Sequence, residues 1–165
     1  MNKKIIFTLF ACFALFLSSC EKDNSMPDIP PLQILSGEWI VSGDPYMEDE
    51  GWTLTTSNTN DNAPDKLLLT DKESFWHFVV AVPADPWKAA FGQNTPTDNL
   101  DYDEIGVIIK NGKITPQAVT LPSGFKADKI SFTLAFEDDD YEEWRIVGYR
   151  KSGFLEDVGY IYYEE

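Results

Sequence analysis

His77 is the only histidine in 165 residues, and the cysteines are two, Cys12 and Cys20. Zinc centres are built mainly from imidazole and thiolate, so this chain can hardly assemble one. A Ser-His-Asp relay would have to use His77. No G-x-S-x-G elbow presents a serine to it, and Ser74 and Ser131 are candidates by elimination alone. Positive charge is scarce as well: 13 Lys and Arg stand against 28 Asp and Glu, for a net charge of −15. Such a balance speaks against nucleic acid, and against a broad anionic membrane surface, as a partner. There is no phosphate-cradling glycine loop and no dinucleotide fingerprint, so no cofactor is implied. Helical periodicity is nearly absent.

Long apolar runs are also few, and the longest opens the chain. Lys3 and Lys4 precede an uncharged stretch, Ile5 to Leu17. It is shorter than the roughly 20 residues a membrane-spanning helix needs and reads as a signal peptide core. Leu17-Ser18-Ser19-Cys20 follows and resembles the bacterial lipobox. That resemblance implies removal of residues 1–19, Cys12 among them, and acylation of Cys20. Cys20 is then the sole cysteine, an anchor and neither a disulfide partner nor a nucleophile. Each buried methylene of an acyl chain contributes about 0.8 kcal/mol, so a multiply acylated cysteine binds a lipid bilayer stably. The expected address is the cell envelope, as an outer-membrane lipoprotein. Glu21-Lys22-Asp23 is partly similar to the acidic export signal of surface lipoproteins in the Bacteroidetes, which leaves surface display and a periplasm-facing position both open. Residues 20–32 are polar and proline-bearing and read as a flexible tether.

Residues 33–165 read as one domain of short β-rich runs broken by turns. The expected strands are Ile34–Ser42, Trp52–Ser57, Lys66–Thr70, Ser74–Val82, Ile105–Lys110, Lys113–Val119, Ile130–Phe136, Glu143–Lys151 and Gly159–Tyr163. Asn111-Gly112, between two such runs, is a strong hairpin signal because both turn residues need positive φ. In Ser74–Val82, Trp76 and Phe78 would share one face, Phe75 and His77 the other. Eight or nine antiparallel strands suggest a meander closed into a barrel, which leaves no open edge. A two-sheet β-sandwich is the alternative.

Gly37-Glu38-Trp39 on the first strand, with Arg145 or Arg150 on a late one, looks like the calycin and lipocalin signature. There a cation stacks on the indole and plugs one end of the barrel. Arg145 and Arg150 are five positions apart and face opposite ways on a regular strand. LSGEWIVS, TSNTN, DKLLLTDKESFWHFVVAVP, IIKNGKIT and GYRKSGFLED, together spanning most of 35–157, resemble the Bacteroidetes lipoproteins called lipid-binding putative hydrolases. The resemblance implies a calycin-like barrel and carries over no catalytic residue. The long middle stretch Asp85–Asp103 departs from the pattern and is read as a cover or lid.

A barrel of this size is filled by side chains or holds one small ligand. Phe75, Trp76, Phe78, Trp87, Phe91, Trp144 and Tyr149 are candidates to line or cap the cavity. Acidic residues gather at turns: Glu137–Asp140 with Glu142 and Glu143; Asp98, Asp101, Asp103 and Glu104; Asp44 and Glu48–Glu50. None has EF-hand spacing, so no metal is assigned. Three functions stay open. The first is an envelope lipoprotein binding a small apolar ligand, such as a lipid. The second is a hydrolase using carboxylates at the barrel mouth. The third is a surface accessory protein presenting aromatics to glycans or proteins.

Overall fold

Alternating burial along short runs produces nine antiparallel strands. The computed structural model describes residues 31–44, 51–101 and 105–163. Residues 1–19, Cys20, nearly all of the tether, Glu48–Glu50, Asp103 and Glu104 lie outside the described residues. The strands are β1 (Gly37–Asp44), β2 (Trp52–Asn58), β3 (Lys66–Thr70), β4 (Val79–Asp85), β5 (Ala90–Phe91), β6 (Thr97–Asp98), β7 (Gly106–Thr120), β8 (Lys126–Phe136) and β9 (Trp144–Arg150).

Each strand from β1 to β4 pairs with the next, β7 pairs with β8 and β8 with β9. Two further pairings close the ring. β1 lies against β9, with Trp39 opposite Arg150, and the short β5 bridges β4 and β7, with Phe91 opposite both Ala84 and Gly112. The result is a closed eight-stranded all-β barrel, with β6 added alongside β7; it is a barrel of the calycin kind and not a sandwich. Every second residue points inward: Trp39 and Val41 on β1, Leu67 and Leu69 on β3, Val80 and Val82 on β4, Ile130, Phe132 and Leu134 on β8. These are buried and belong to one apolar cluster. Burial of each such side chain contributes about 1.5–3 kcal/mol.

Four expectations need correction. The run Ser74–Val82 is not all strand, because Phe75 to Phe78 form a loop and β4 begins only at Val79. The carboxylate of Asp71 gathers that loop's N–H groups, and His77 takes φ 58°, so the alternation of faces expected there does not exist.

Asn111-Gly112 is not a hairpin turn. β7 runs straight through it, and the register shifts between Lys110 and Lys113, so two residues oppose one across the ladder. Asn111 has φ 58°. Gly112 is required because the Phe91 ring lies against it, where a Cβ would come within 2.4 Å of that ring. The actual hairpin between β7 and β8 is Leu121-Pro122-Ser123-Gly124-Phe125, with Gly124 at φ 83° and Leu121 N–H donating to Phe125 O at 2.9 Å.

Gly159–Tyr163 forms no strand. A closed barrel leaves it no edge to join, so it packs on the outer face instead. Tyr149 donates its hydroxyl to Tyr160 O at 2.8 Å, and Ser42 Oγ donates to Tyr162 O at 3.2 Å.

The described part of Asp85–Asp103, residues 85–101, contributes to the barrel wall and not to a separate cover. Within it β5 and β6 line the gap between β4 and β7: Gly92 N–H donates to Pro83 O at 2.8 Å and Gln93 N–H to Ile109 O at 2.7 Å.

Candidate functional site

Antiparallel connections alternate between the two ends of the barrel, and the two ends differ in chemistry. One end is closed. Pro31–Ile34 makes a single 3-10 turn that drives Leu32 and Leu35 into the interior, and both are fully buried. Above them the Arg150 guanidinium lies 4.3 Å from the centre of the Trp39 ring. It is fixed there by Asp128 Oδ2 at 3.0 Å, Ile34 O at 3.1 Å and Ser36 O. Trp39 Nε1 donates to Thr56 Oγ1 at 2.8 Å, whose hydroxyl passes on to Leu35 O. Gly37 leaves room for the guanidinium, since a Cβ there would lie 2.0 Å from Arg150 Nη1. Arg145 sits near the opposite end of β9, exposed on the outer wall beside Ser131, Thr133 and Glu143. β9 thus sends its two arginines to opposite faces.

The other end is the mouth, where β1–β2, β3–β4, β6–β7 and β8–β9 connect. Its roof is the β3–β4 loop, residues 71–78, and its keystone is Asp71, which is fully buried. Asp71 Oδ1 accepts from the N–H groups of Glu73 (3.1 Å) and Phe78 (3.0 Å). Oδ2 accepts from Phe75 (3.1 Å), Trp76 (2.7 Å) and His77 (2.9 Å). Hydrogen bonds to a charged acceptor are about twice as strong as neutral ones, and they offset the burial of the carboxylate. A second clamp comes from Asn99. Its Oδ1 accepts from Val79 N–H at 3.0 Å, and its Nδ2 donates to His77 O at 3.0 Å. Ser74 Oγ is committed to the carbonyls of Thr53 (2.9 Å) and Asp71.

This polar scaffold holds aromatic side chains over the barrel. Phe75 stacks on Trp52 at 5.0 Å, and Trp76 stacks on Phe136 at 4.9 Å. Trp144 meets Phe75 edge-on at 5.5 Å and Trp76 at 6.2 Å. Phe78 lies beneath, 5.9 Å from Phe136 and 6.4 Å from Trp52. Phe78 and Phe136 are fully buried and Trp52 and Trp144 nearly so, whereas Phe75 and Trp76 are half-buried. Trp52 Nε1 is buried and has no acceptor among the described residues.

Of the residues singled out from sequence, Phe75, Trp76, Phe78 and Trp144 therefore meet at the mouth. Phe91 is inside the barrel but against Phe132, at 5.9 Å. Tyr149 points outward and is covered by the C-terminal segment, beside a groove of about 240 Å³ lined by Ile40, Phe154, Val158, Tyr160 and Ile161. Burial and the nearby Asp157 raise its hydroxyl pKa. Trp87 projects from the β4–β5 turn at 96 % exposure and touches neither site. Sequence reasoning passed over Trp52 and Phe136 as ordinary strand residues and did not single out Asp71 or Asn99. The one available signal was Asp-Lys-Glu-Ser, a turn-type run in front of apolar residues.

The acids of the β8–β9 connection rim the same mouth. Several are engaged: Glu137 Oε2 accepts from Gly106 N–H at 3.0 Å, Glu143 pairs with Lys110 at 2.6 Å, and Asp139 Oδ2 faces Trp144 Nε1 at 3.4 Å. Among the described residues no group of three or more His, Cys, Asp or Glu is placed to hold a metal ion. His77 is exposed, and its imidazole has no hydrogen-bond partner among the described residues. The arrangement can shield and bind an apolar group. A sequence model of a family described as lipid-binding putative hydrolase matches residues 25–155. No curated protein matches the chain.

Proposed function

The chain belongs to the lipid-binding putative hydrolase family, and on that premise we propose that it is an envelope lipoprotein, tethered through acylated Cys20, whose barrel mouth takes up the acyl part of a lipid. Family and fold together make it a lipid-binding barrel protein. The finer reading is carried by one observation: a roof of half-buried aromatics, Phe75 and Trp76, set over fully buried Phe78 and Phe136.

The barrel axis is packed with buried side chains, so an acyl chain finds its place by taking the position of Phe75 and Trp76. That exchange keeps Trp52, Phe136 and Trp144 in contact with apolar surface. An aromatic ring buries about 150–250 Å² when covered, comparable to several methylenes of an acyl chain, so the swap costs little hydrophobic energy. The unmatched Trp52 Nε1 supplies a donor for a carboxyl or ester oxygen. The acidic rim holds the mouth off anionic head groups and favours a single uncharged or weakly charged lipid over a bilayer.

Native mass spectrometry of the full chain, after mild purification, tests the reading. A fatty acid or other single-chain lipid should co-purify at one per protein. Trp76→Ser removes a ring that the acyl chain must displace from Phe136, so it should raise lipid affinity severalfold. The reading fails if repeated panels of fatty acids and lysolipids give no bound species, or if Trp76→Ser binds them no more tightly than the parent does.

A further inference from the structure

The exposed large apolar side chains are unevenly placed. The segment before β1, the β4–β5 turn, the β7–β8 turn and the stretch after β9 all lie at the closed end, because antiparallel connections alternate. Those pieces carry Ile34, Trp87, Phe125, Phe154, Leu155 and Val158, with Trp87 at 96 %, Leu155 at 86 % and Val158 at 78 % exposure. The described part of the mouth offers only Leu100 and Tyr141 of that class, and Tyr163 lies on the outer segment. Single exposed apolar residues are ordinary; this concentration at one end is not.

The platform is held in place. Trp87 and Lys88 both donate their N–H to Asp85 Oδ1 at 3.1 Å, and Lys88 Nζ pairs with Asp85 at 2.7 Å. Asp157 joins the stretch after β9 to the β7–β8 turn. It accepts from Ser123 N–H and Ser123 Oγ, each at 2.8 Å, and from Ser152 Oγ. Phe125 and Phe154 consequently lie 5.8 Å apart. Two pairs of neighbouring charges are matched, Arg150 with Asp128 at 3.0 Å and Lys151 with Glu38 at 3.1 Å, and the exposed acids Asp61, Asp65 and Glu156 of this end are balanced in number by Lys66, Lys126 and Lys129. The run Glu137–Asp140, by contrast, is at the mouth. The overall acidity therefore says little about what the closed end can touch.

We propose that the closed end is a membrane-docking face, with Trp87, Phe125, Phe154, Leu155 and Val158 entering the interfacial layer of a bilayer while the mouth points away. Tryptophan and phenylalanine with aliphatic neighbours and paired charges are the composition that settles at that depth. The occupant is identified by the chain itself. This inference rests on the reading of Cys20 as an acylated anchor. Cys20 stands eleven residues before Pro31, which enters the barrel at this same end. Eleven residues reach at most about 40 Å and, as a coil, average about 18 Å. The anchor holds the closed end, not the mouth, nearest the lipid. The ligand then arrives from the far side, out of the surrounding medium and not out of the protein's own membrane.

The full-length acylated protein is incorporated in vesicles of phosphatidylethanolamine with a minor fraction of phosphatidylglycerol. An environment-sensitive fluorophore is placed on Trp87→Cys, Leu155→Cys or Tyr141→Cys. Acylated Cys20 leaves the introduced thiol as the free one. When brominated acyl chains replace ordinary ones, labels at 87 and 155 should lose about half their emission, and the label at 141 should keep it. Equal quenching at all three positions, or none at 87 and 155, overturns the proposal. Mass analysis of the N-terminal peptide separates the two failures. An unacylated Cys20 sinks the tether reading and docking with it; an acylated Cys20 without quenching sinks docking alone. Self-association that protects positions 87 and 155 equally well in detergent would make the platform a contact between copies and also overturn it.

Discussion

Two tryptophans make a controlled comparison, because Trp39 is fully buried and Trp87 is 96 % exposed. Trp39→Ala removes a large side chain from the closed end of the core. It also takes the donor from Thr56 Oγ1 at 2.8 Å and the ring beneath the Arg150 guanidinium at 4.3 Å. Large-to-small core changes of this kind cost about 3–5 kcal/mol, since the lost transfer energy is joined by a cavity. For a domain of this size each kcal/mol corresponds to about 4 °C, so the melting temperature should fall by roughly 12–20 °C. Trp87→Ala should change stability by less than about 0.5 kcal/mol. Urea denaturation followed by far-ultraviolet circular dichroism gives both values, with unchanged m showing that the denatured states are comparable. A cycle with Arg150→Met should return a Trp39–Arg150 coupling of about 0.5–2 kcal/mol. If Trp39→Ala melts within about 4 °C of the parent, the plug is not a structural element and the reasoning from burial fails.

Gly37→Ala should cost about 1–3 kcal/mol, because its Cβ displaces the guanidinium that four partners hold, while Gly153→Ala, with open space around it, should be neutral; thermal melts of the pair decide this. Asp71→Asn puts an amide where a carboxylate accepts five N–H groups, leaving at least two without an acceptor. At about 2–4 kcal/mol, local opening should speed hydrogen exchange of the amides at 73 and 75–78 by roughly 30- to 1,000-fold, with strands β7 to β9 unchanged. The two ends of the pH scale should loosen the C-terminal segment. Burial alone would raise the Asp157 carboxyl, but hydrogen bonds from Ser152 and Ser123 outweigh it and hold the group below its ordinary value. That contribution is present above the unfolded value and is lost as pH falls through the folded one. Tyr149 is raised instead, by burial and Asp157, so its contribution is intact below the ordinary tyrosine value and is lost as pH rises through the folded one. Absorbance at the tyrosinate band should show a late-ionising tyrosine that Tyr149→Phe abolishes.

The alternating runs were legible because a barrel wall has one face in and one face out, which prints a period of two on β2, β3 and β8. The closed end was legible for a related reason. Gly37, Trp39 and a late arginine are set by sterics and cation–π contact, both tied to residue type. The mouth was less so. Phe75, Trp76, His77 and Phe78 are good strand formers, and only a carboxylate at Asp71 pulling their N–H groups to one point turns them into a loop. Asn111-Gly112 misled because glycine serves two needs. It permits a turn, and it permits close approach; here Phe91, from a strand of two residues, takes the second. Phe91 is twenty-one positions away, and no local pattern announces such a contact.

The two ends also divide the energetic demands on the fold. At the closed end Trp39 Nε1, Thr56 Oγ1 and the Arg150 guanidinium all have hydrogen-bond partners. At the mouth the same density of contacts is built differently. Backbone hydrogen bonds to Asp71 and Asn99 fix the path of the loop, while Phe75 and Trp76 remain half-exposed. A side chain on a fixed backbone can change rotamer without unravelling the turn that carries it. Burying those rings in strand β4, as the sequence pattern suggested, would have made them part of the wall. Setting them on a clamped loop makes them replaceable by another apolar group. A barrel can then be stable with its core packed and still exchange a ligand at one end, because the groups that leave are not the groups that hold the barrel closed.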